Sequence, residues 1–318
     1  MVGVAAGDAM GDIARDKNAN LSQADSFRFR YGIITEMYDG AASTDDTEFT
    51  VLSARTILDN KGILTHQNVA DSWRKLILGH GGMKARGGRP LYGAVENLKR
   101  NILPPQSGID NVFNTDDGAA MRIAPVGIVY AGDPIKAAEV ARFDAEMSHA
   151  NSGVWAAQAI ASAISVAIAD GSTEEICNAM MDPIPPNSWL GRQMDKVKKL
   201  CDSASDIEDI WSALHCEFYT REHAAVEEAI PEIYGVSRMT QFHYRKGMFW
   251  GANFGRDADT IAAVVGALAG AKEGIEVIPE SWITPVRQPA GTCLAFAGNE
   301  DVVELGTALA QLGMELVD

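Results

Sequence analysis

A chain of 318 residues is long enough for one large domain or two ordinary ones, and it can bury a core without disulfide staples. Its 27 Lys and Arg against 43 Asp and Glu give a formal charge of −16, which argues against a broad nucleic-acid surface or attraction to an anionic membrane. Hydrophobic residues make up 47% but aromatics only 7%, so the core must be mainly small and aliphatic, which favours closely packed helices.

In chain order, residues 2–13 predict a first helix with small residues on one face, and 45–59 a second, with Ser43 or Thr44 as N-cap. Residues 66–78 follow, capped by Thr65, then a Gly-rich basic loop at 79–90 and a helix at 91–101. The segment 103–118 reads as irregular, with Pro104, Pro105, Gly108 and Gly118. The brief alternation at 123–130 is interrupted by Pro125 and Gly127, and no convincing strand emerges. Residues 134–147 predict a helix with Asp133 as cap and Pro at its first position. A long Ala-rich helix at 149–170 follows, then 173–180, 189–201, 207–218, 223–229 and 238–251. The last strongly apolar helix is 257–272, ending at Gly274, and 302–316 closes the chain. The expectation is an all-α fold, with residues 1–318 as a single compact multi-helix domain.

Cys177, Cys201, Cys216 and Cys293 form no CxxC pair, which suggests a reducing compartment. The N-terminus turns acidic too early for a signal peptide. The longest apolar stretches, 154–169 and 261–271, fall short of a membrane span. A cytoplasmic protein with no membrane or nucleic-acid partner is expected.

Two acidic clusters carry the chemistry. Thr44-Asp45-Asp46-Thr47 opens one helix, where a capping Thr and first-turn Asp residues also have an ordinary structural use. Asp257-Ala258-Asp259-Thr260 opens another, and the helix it begins is apolar enough to be buried. Buried carboxylates need partners, and Arg256 beside them is one charge. Together the clusters offer four carboxylates and up to three hydroxyls, a hard-oxygen set for Mg²⁺ or Mn²⁺. Two divalent cations would neutralise the four acids, activate a water and polarise a substrate oxygen.

With these clusters, the GDAMG at 7–11, STDDT at 43–47, GAAMRIAP at 118–125, SH at 148–149 and NFGRDADTIAAVVGALAGAKEG at 253–274 make an ordered set along most of the chain. In that set the chain resembles the ADP-ribosylglycohydrolase family. The resemblance implies an all-α fold with a dinuclear Mg²⁺ or Mn²⁺ site at the bottom of a cleft. It implies Thr44, Asp45, Asp46, Asp257, Asp259 and Thr260 as metal ligands. The implied reaction is hydrolysis of a ribosyl C1 bond of an ADP-ribosylated protein or small molecule. Asp45 and Asp259 are the candidates to accept the proton of the attacking water. Asp8, Ser107, Gly108, Asp117, Gly118 and His149 fall near the substrate.

Two departures bear on the substrate. Where the family often places a Glu shortly after GDAxG, this chain has Arg15, so that role is lost or moved, to Asp12, Asp16 or Glu36. Where relatives commonly have Asn-Gly in a diphosphate-contacting loop, this chain has Asp117-Gly118, preceded by Asp116. Two carboxylates beside a diphosphate would repel it. A smaller N- or O-riboside without the diphosphate is the alternative substrate, and a catalytically silent binding protein the alternative of another class.

Among smaller features, Lys84, Arg86 and Arg89 of the Gly-rich loop could face an anion, although such loops also serve as plain connections. Asp8 and Asp12 share a face of the first helix and repel unless a cation intervenes. Arg122 reads as a buried guanidinium pairing with one of them. His215, Cys216 and His223 read as packing or surface, and Trp155, Trp189, Trp211 and Trp250 as core, although a platform for an adenine or other base could use one of them.

Overall fold

The structure, a computed structural model, describes residues 1–15, 33–84 and 86–317. Among these no strand occurs, and the only sheet-like pairing is an isolated bridge between Asp116 and Ala225. The architecture is all-α. The helices in chain order are α1 (Val2–Asp12), α2 (Asp45–Asp59), α3 (His66–Leu76), α4 (Arg89–Lys99), the short α5 (Gln106–Ile109), α6 (Ala124–Val129), α7 (Pro134–Ala145) and α8 (Ser152–Ile168). They continue as α9 (Thr173–Met181), α10 (Trp189–Asp202), α11 (Ile207–Glu217), α12 (Val226–Met239), α13 (Tyr244–Ala252), α14 (Ala258–Glu273), α15 (Glu280–Ile283) and α16 (Val302–Val317). No helix among the described residues is long and apolar enough to cross a membrane.

Several starts follow from local chemistry. Thr65 and Asn68 close a capping box on α3, Asp133 accepts from Lys136 N ahead of Pro134 on α7, and Ser172 with Glu175 caps α9. Other elements differ from expectation. The alternation at 123–130 is helix α6, whose Pro125 sits in the first turn, where no backbone donor is needed. The long Ala-rich helix begins at Ser152, because Asn151 takes a positive φ of 49°. The two helices expected at 223–229 and 238–251 are α12 and α13. Pro231 sits inside α12, and the break comes at Gln241 and Phe242, with φ of 55° and 57°.

The helix pair α1 and α14 forms the spine. A Cβ on Gly3, Gly7 or Gly11 would lie 2.1 Å from the carbonyl oxygen of Gly266, Ala262 or Ala258 respectively. Glycines four apart therefore form one bare stripe on α1, and the two backbones touch along it. The other side of α1 meets α2: Asp8, fully buried, takes its four bonds from the start of that helix. One short helix thereby joins two segments more than 200 residues apart, and both acidic clusters sit around it.

Candidate active site

Thr44 stands at the N-cap of α2 but makes no side-chain cap bond. Its Oγ1 donates to Asp8 Oδ1 at 2.6 Å and its N to Asp8 Oδ2 at 2.7 Å. Thr47 Oγ1 and N add bonds of 2.6 and 3.1 Å to Asp8 Oδ2. The carboxylate that caps α2 is thus borrowed from α1, at the positive end of the helix dipole. Asp45 and Asp46 are thereby released from capping. Glu48, one turn on, accepts from the backbone N–H groups of Thr292, Cys293 and Leu294 and pins that loop against α2.

On the opposite wall, Gly255 (φ 80°) and Arg256 (φ 55°) reverse the chain so that Asp257 becomes the N-cap of α14 and Asp259 lies in its first turn. Thr260 Oγ1 donates to Asp46 Oδ1 at 2.8 Å, a direct link between the clusters. All six residues expected as metal ligands are buried.

The positive charge comes from two arginines. Arg15, just past α1, donates from Nε to Asp257 Oδ1 at 2.9 Å and lies 3.2 Å from Asp259 Oδ2. Arg86, from the Gly-rich loop, bonds Asp12, reaches Asp259 Oδ2 at 3.2 Å and stands 3.6 Å from Asp45 Oδ1. His223 Nε2 lies 3.4 Å from Asp257 Oδ1. That ring was expected as packing or surface; its place beside Asp257 had no signal in the sequence spacing. Asp12, one of the carboxylates considered for the missing Glu, is held by Arg86. Glu36, another, is engaged elsewhere by Trp282 and Arg245, and Asp16 lies outside the described residues.

These charges set the acidities. Burial, with the charge of Asp8, raises the Asp45 carboxyl to about 7 against the pull of Arg15 and Arg86. Burial and the neighbouring carboxylates push Asp46 and Asp259 well up. Asp257 goes the other way: burial would raise it, but the His223 ring and Arg15 hold it far below the usual range. Asp117 is pushed up by burial and by Asp257, with which it shares a hydrogen bond.

The residues expected at the substrate form a supporting layer. Ser107 Oγ donates to Met147 O at 2.8 Å, and a Cβ on Gly108 would lie 2.2 Å from His149 O. His149 is buried, and desolvation lowers the basicity of its ring against the pull of Asp116; its Nε2 meets Asp116 Oδ1 and its Nδ1 Ser148 Oγ, both at 2.7 Å. Gly118 N also donates to Asp116 Oδ1. Arg122 is buried, as expected, but its partner is Asp144 on α7 rather than Asp8 or Asp12.

Above the acids opens a cleft of about 380 Å³. Arg15, Arg86, Arg89 and Arg221 line it, against Asp45, Asp116, Glu222 and Glu227. Of the two acids expected to oppose a diphosphate, Asp116 borders the cleft, while Asp117 is buried against Asp257. Trp189 is 52% exposed at the rim, unlike buried Trp211 and Trp250, and Phe113 lies under the Arg89 guanidinium.

The donor chemistry fits a hard divalent cation. Asp45 Oδ1 and Asp259 Oδ1 are buried without a hydrogen-bond partner, and such oxygens call for positive charge. Thr44 Oγ1 gives its proton to Asp8 and keeps its lone pairs. Among the described residues no group of three or more His, Cys, Asp or Glu is arranged to hold a metal ion; guanidiniums and the Thr260 hydroxyl engage these acids.

The ADP-ribosylglycohydrolase family profile matches residues 1–314. The chain belongs to the ADP-ribosylglycohydrolase family. It is a glycosyl hydrolase by class, in a family that is generally divalent-metal dependent. An uncharacterized protein of Archaeoglobus fulgidus is 25% identical over 338 residues, covering 100% of this chain and 96% of its own length. The ADP-ribosylhydrolase ARH3 of Mus musculus is 26% identical over 214 residues, and that of Homo sapiens 25%. The match to the mouse protein covers 56% of this chain and 55% of the relative, so it spans about half of each. A solved structure described as an ADP-ribosylglycohydrolase-related protein complex superposes with a TM-score of 0.69 at 21% identity, covering 98% of this chain and 95% of the other. That likeness supports the fold.

Proposed function

We propose that the chain hydrolyses the C1 bond of an ADP-ribosyl group joined to a protein side chain or small acceptor, with divalent metal held among Thr44, Asp45, Asp46, Asp257, Asp259 and Thr260. Mg²⁺ and Mn²⁺ suit these oxygen donors. When bound, such ions supply Lewis acidity and make a water more acidic. The observation that carries the proposal is the cleft: four arginines line it, and its floor is the buried acidic centre.

The residues divide the work. Arg89 and Arg221 neutralise the diphosphate, and Asp116 takes a hydroxyl rather than a phosphate oxygen. Trp189 and Phe113 offer apolar ring faces for the base. As positive charge develops at C1 in an oxocarbenium-like transition state, the buried carboxylates stabilise it. Asp45 is the candidate to accept the proton of the attacking water, with Asp259 as the other. Asp8, Ser107, Gly108, Asp117, Gly118 and His149 act by holding these walls in register. Residues 1–318 form one domain in this reading, since α1 ties both acidic segments together. The four free cysteines suit a reducing, cytoplasmic setting.

A panel of ADP-ribosyl-arginine, ADP-ribosyl-serine and simple N- and O-ribosides tests the substrate class. Release of ADP-ribose at a kcat/KM at least tenfold above that for the simple ribosides is expected. The reverse order would establish the smaller riboside instead, which the burial of Asp117 disfavours.

A further inference from the structure

We infer that Arg15 takes the place of one of two divalent ions, so that this chain binds a single catalytic cation. The inference rests on the metal-binding part of the reading above, and concerns how many ions the centre takes. Asp257 and Asp259 open α14 two residues apart, the arrangement in which neighbouring carboxylates would close on an ion. Here the Arg15 guanidinium spans them, at 2.9 Å from Asp257 Oδ1 and 3.2 Å from Asp259 Oδ2. The planar fork of a guanidinium suits two carboxylates at once, and it stays charged at any working pH. Arg15 is carried just beyond α1, the helix locked to α14 backbone to backbone through Gly7 and Gly11. Its side chain is 23% exposed and both of its partners are buried.

Arg86 is placed differently. It comes from a loop, its side chain is 34% exposed, and its approach to Asp45 Oδ1 is 3.6 Å, too long for a hydrogen bond. Of the three acids it reaches, Asp12, Asp45 and Asp259, the last two each retain a buried, unpartnered oxygen. Asp259 is shared by both arginines, so the acid left without a hydrogen-bonded cation is Asp45, which Arg86 only approaches. A second ion would have to expel Arg15 from Asp257 and expose the guanidinium to an ion of like sign.

Mn²⁺ alone is the probe, titrated into the metal-free full-length chain by calorimetry, with electron paramagnetic resonance of the loaded protein as a second readout. The expected result is one Mn²⁺ per chain with the spectrum of an isolated ion. Arg15→Glu, which removes the fork and adds a ligand, is expected to bind two, with an exchange-coupled spectrum. Two ions in the unaltered chain, or one in a folded Arg15→Glu, would overturn the inference and leave the proposed hydrolase standing. No binding by either protein would overturn both. Should Arg15→Glu not fold, the count and spectrum of the unaltered chain decide the matter. Hydrolysis need not be measured in any arm, so loss of activity on the substrate panel would count against the proposed function alone.

Discussion

Thr44 Oγ1 donates to Asp8 Oδ1 across 2.6 Å, so the hydroxyl that looks like a helix cap is itself held by a carboxylate of another helix. With the bonds from Thr44 N and from Thr47, Asp8 becomes the joint between α1 and α2. Hydrogen bonds to a buried charge are among the stronger ones, and losing several together is not made good by water in a closed core. Asp8→Ala is expected to lower unfolding free energy by about 3 kcal/mol. A urea midpoint equal to that of the unaltered protein would contradict the role given to Asp8.

Gly7 tests the spine. The Cβ of an alanine there would lie 2.1 Å from Ala262 O, which is main chain and has no rotamer to change. Gly7→Ala should force α1 and α14 apart and cost about 1–3 kcal/mol, read by chemical denaturation. A neutral or stabilising effect, as for glycine in an uncrowded helix, would show that the two backbones are not in contact.

Asp45 should trade stability against activity. Its Oδ1 is buried without a partner, and Asp259 Oδ1 shares that condition. Asp259→Ala and Asp45→Ala should each reduce turnover by about a thousandfold or more, the scale for removing a catalytic group. In chelator, Asp45→Ala should melt no lower than the parent, because burial and the charge of Asp8 disfavour its ionised form. Full retained turnover in either would remove that residue from the catalytic role.

Glu232 gives the pH dependence. It is fully buried on α12 with both carboxylate oxygens unpartnered, facing Glu228, Arg256 and Asp257. Burial, then Glu228, raises its carboxyl well above the ordinary value of 4.5. The folded state therefore holds this proton more tightly than the unfolded one. Its contribution to stability is fully present below about pH 4.5 and is lost as pH rises through the folded value. Glu232→Gln, which keeps the neutral shape, should match the parent near pH 4 and exceed it by a few degrees in Tm at pH 8. Parallel Tm profiles for the two proteins would contradict this.

The helices with clean starts were legible in the sequence. The range 45–59 follows from acidic residues after Thr44, and the stop at Gly274 from its positive φ of 84°. Helix α12 was obscured by Pro231, a residue that disfavours a helix interior and is accommodated here within a buried element. The two acidic clusters were legible as a pair because residue type and order carry them. The charges that answer them were not. Arg15 could be located in sequence, but its fork over Asp257 and Asp259 depends on where α1 ends against α14. His223 and Arg86 reach the same acids from segments whose spacing says nothing about direction. Asp117 read as a cleft residue, since its contact with Asp257 is set by a fold-level meeting of two loops.

The most direct test of the hydrolase reading is release of free ADP-ribose from an ADP-ribosylated peptide by the full-length chain, followed with Mg²⁺ or Mn²⁺, after chelation, and after restoring the ion. The account predicts release with the ion, loss of at least ~99% of the rate in chelator as expected when a Lewis acid is removed, and recovery on adding the ion back, with Asp259→Ala inactive throughout. Release that continues undiminished in chelator would contradict it.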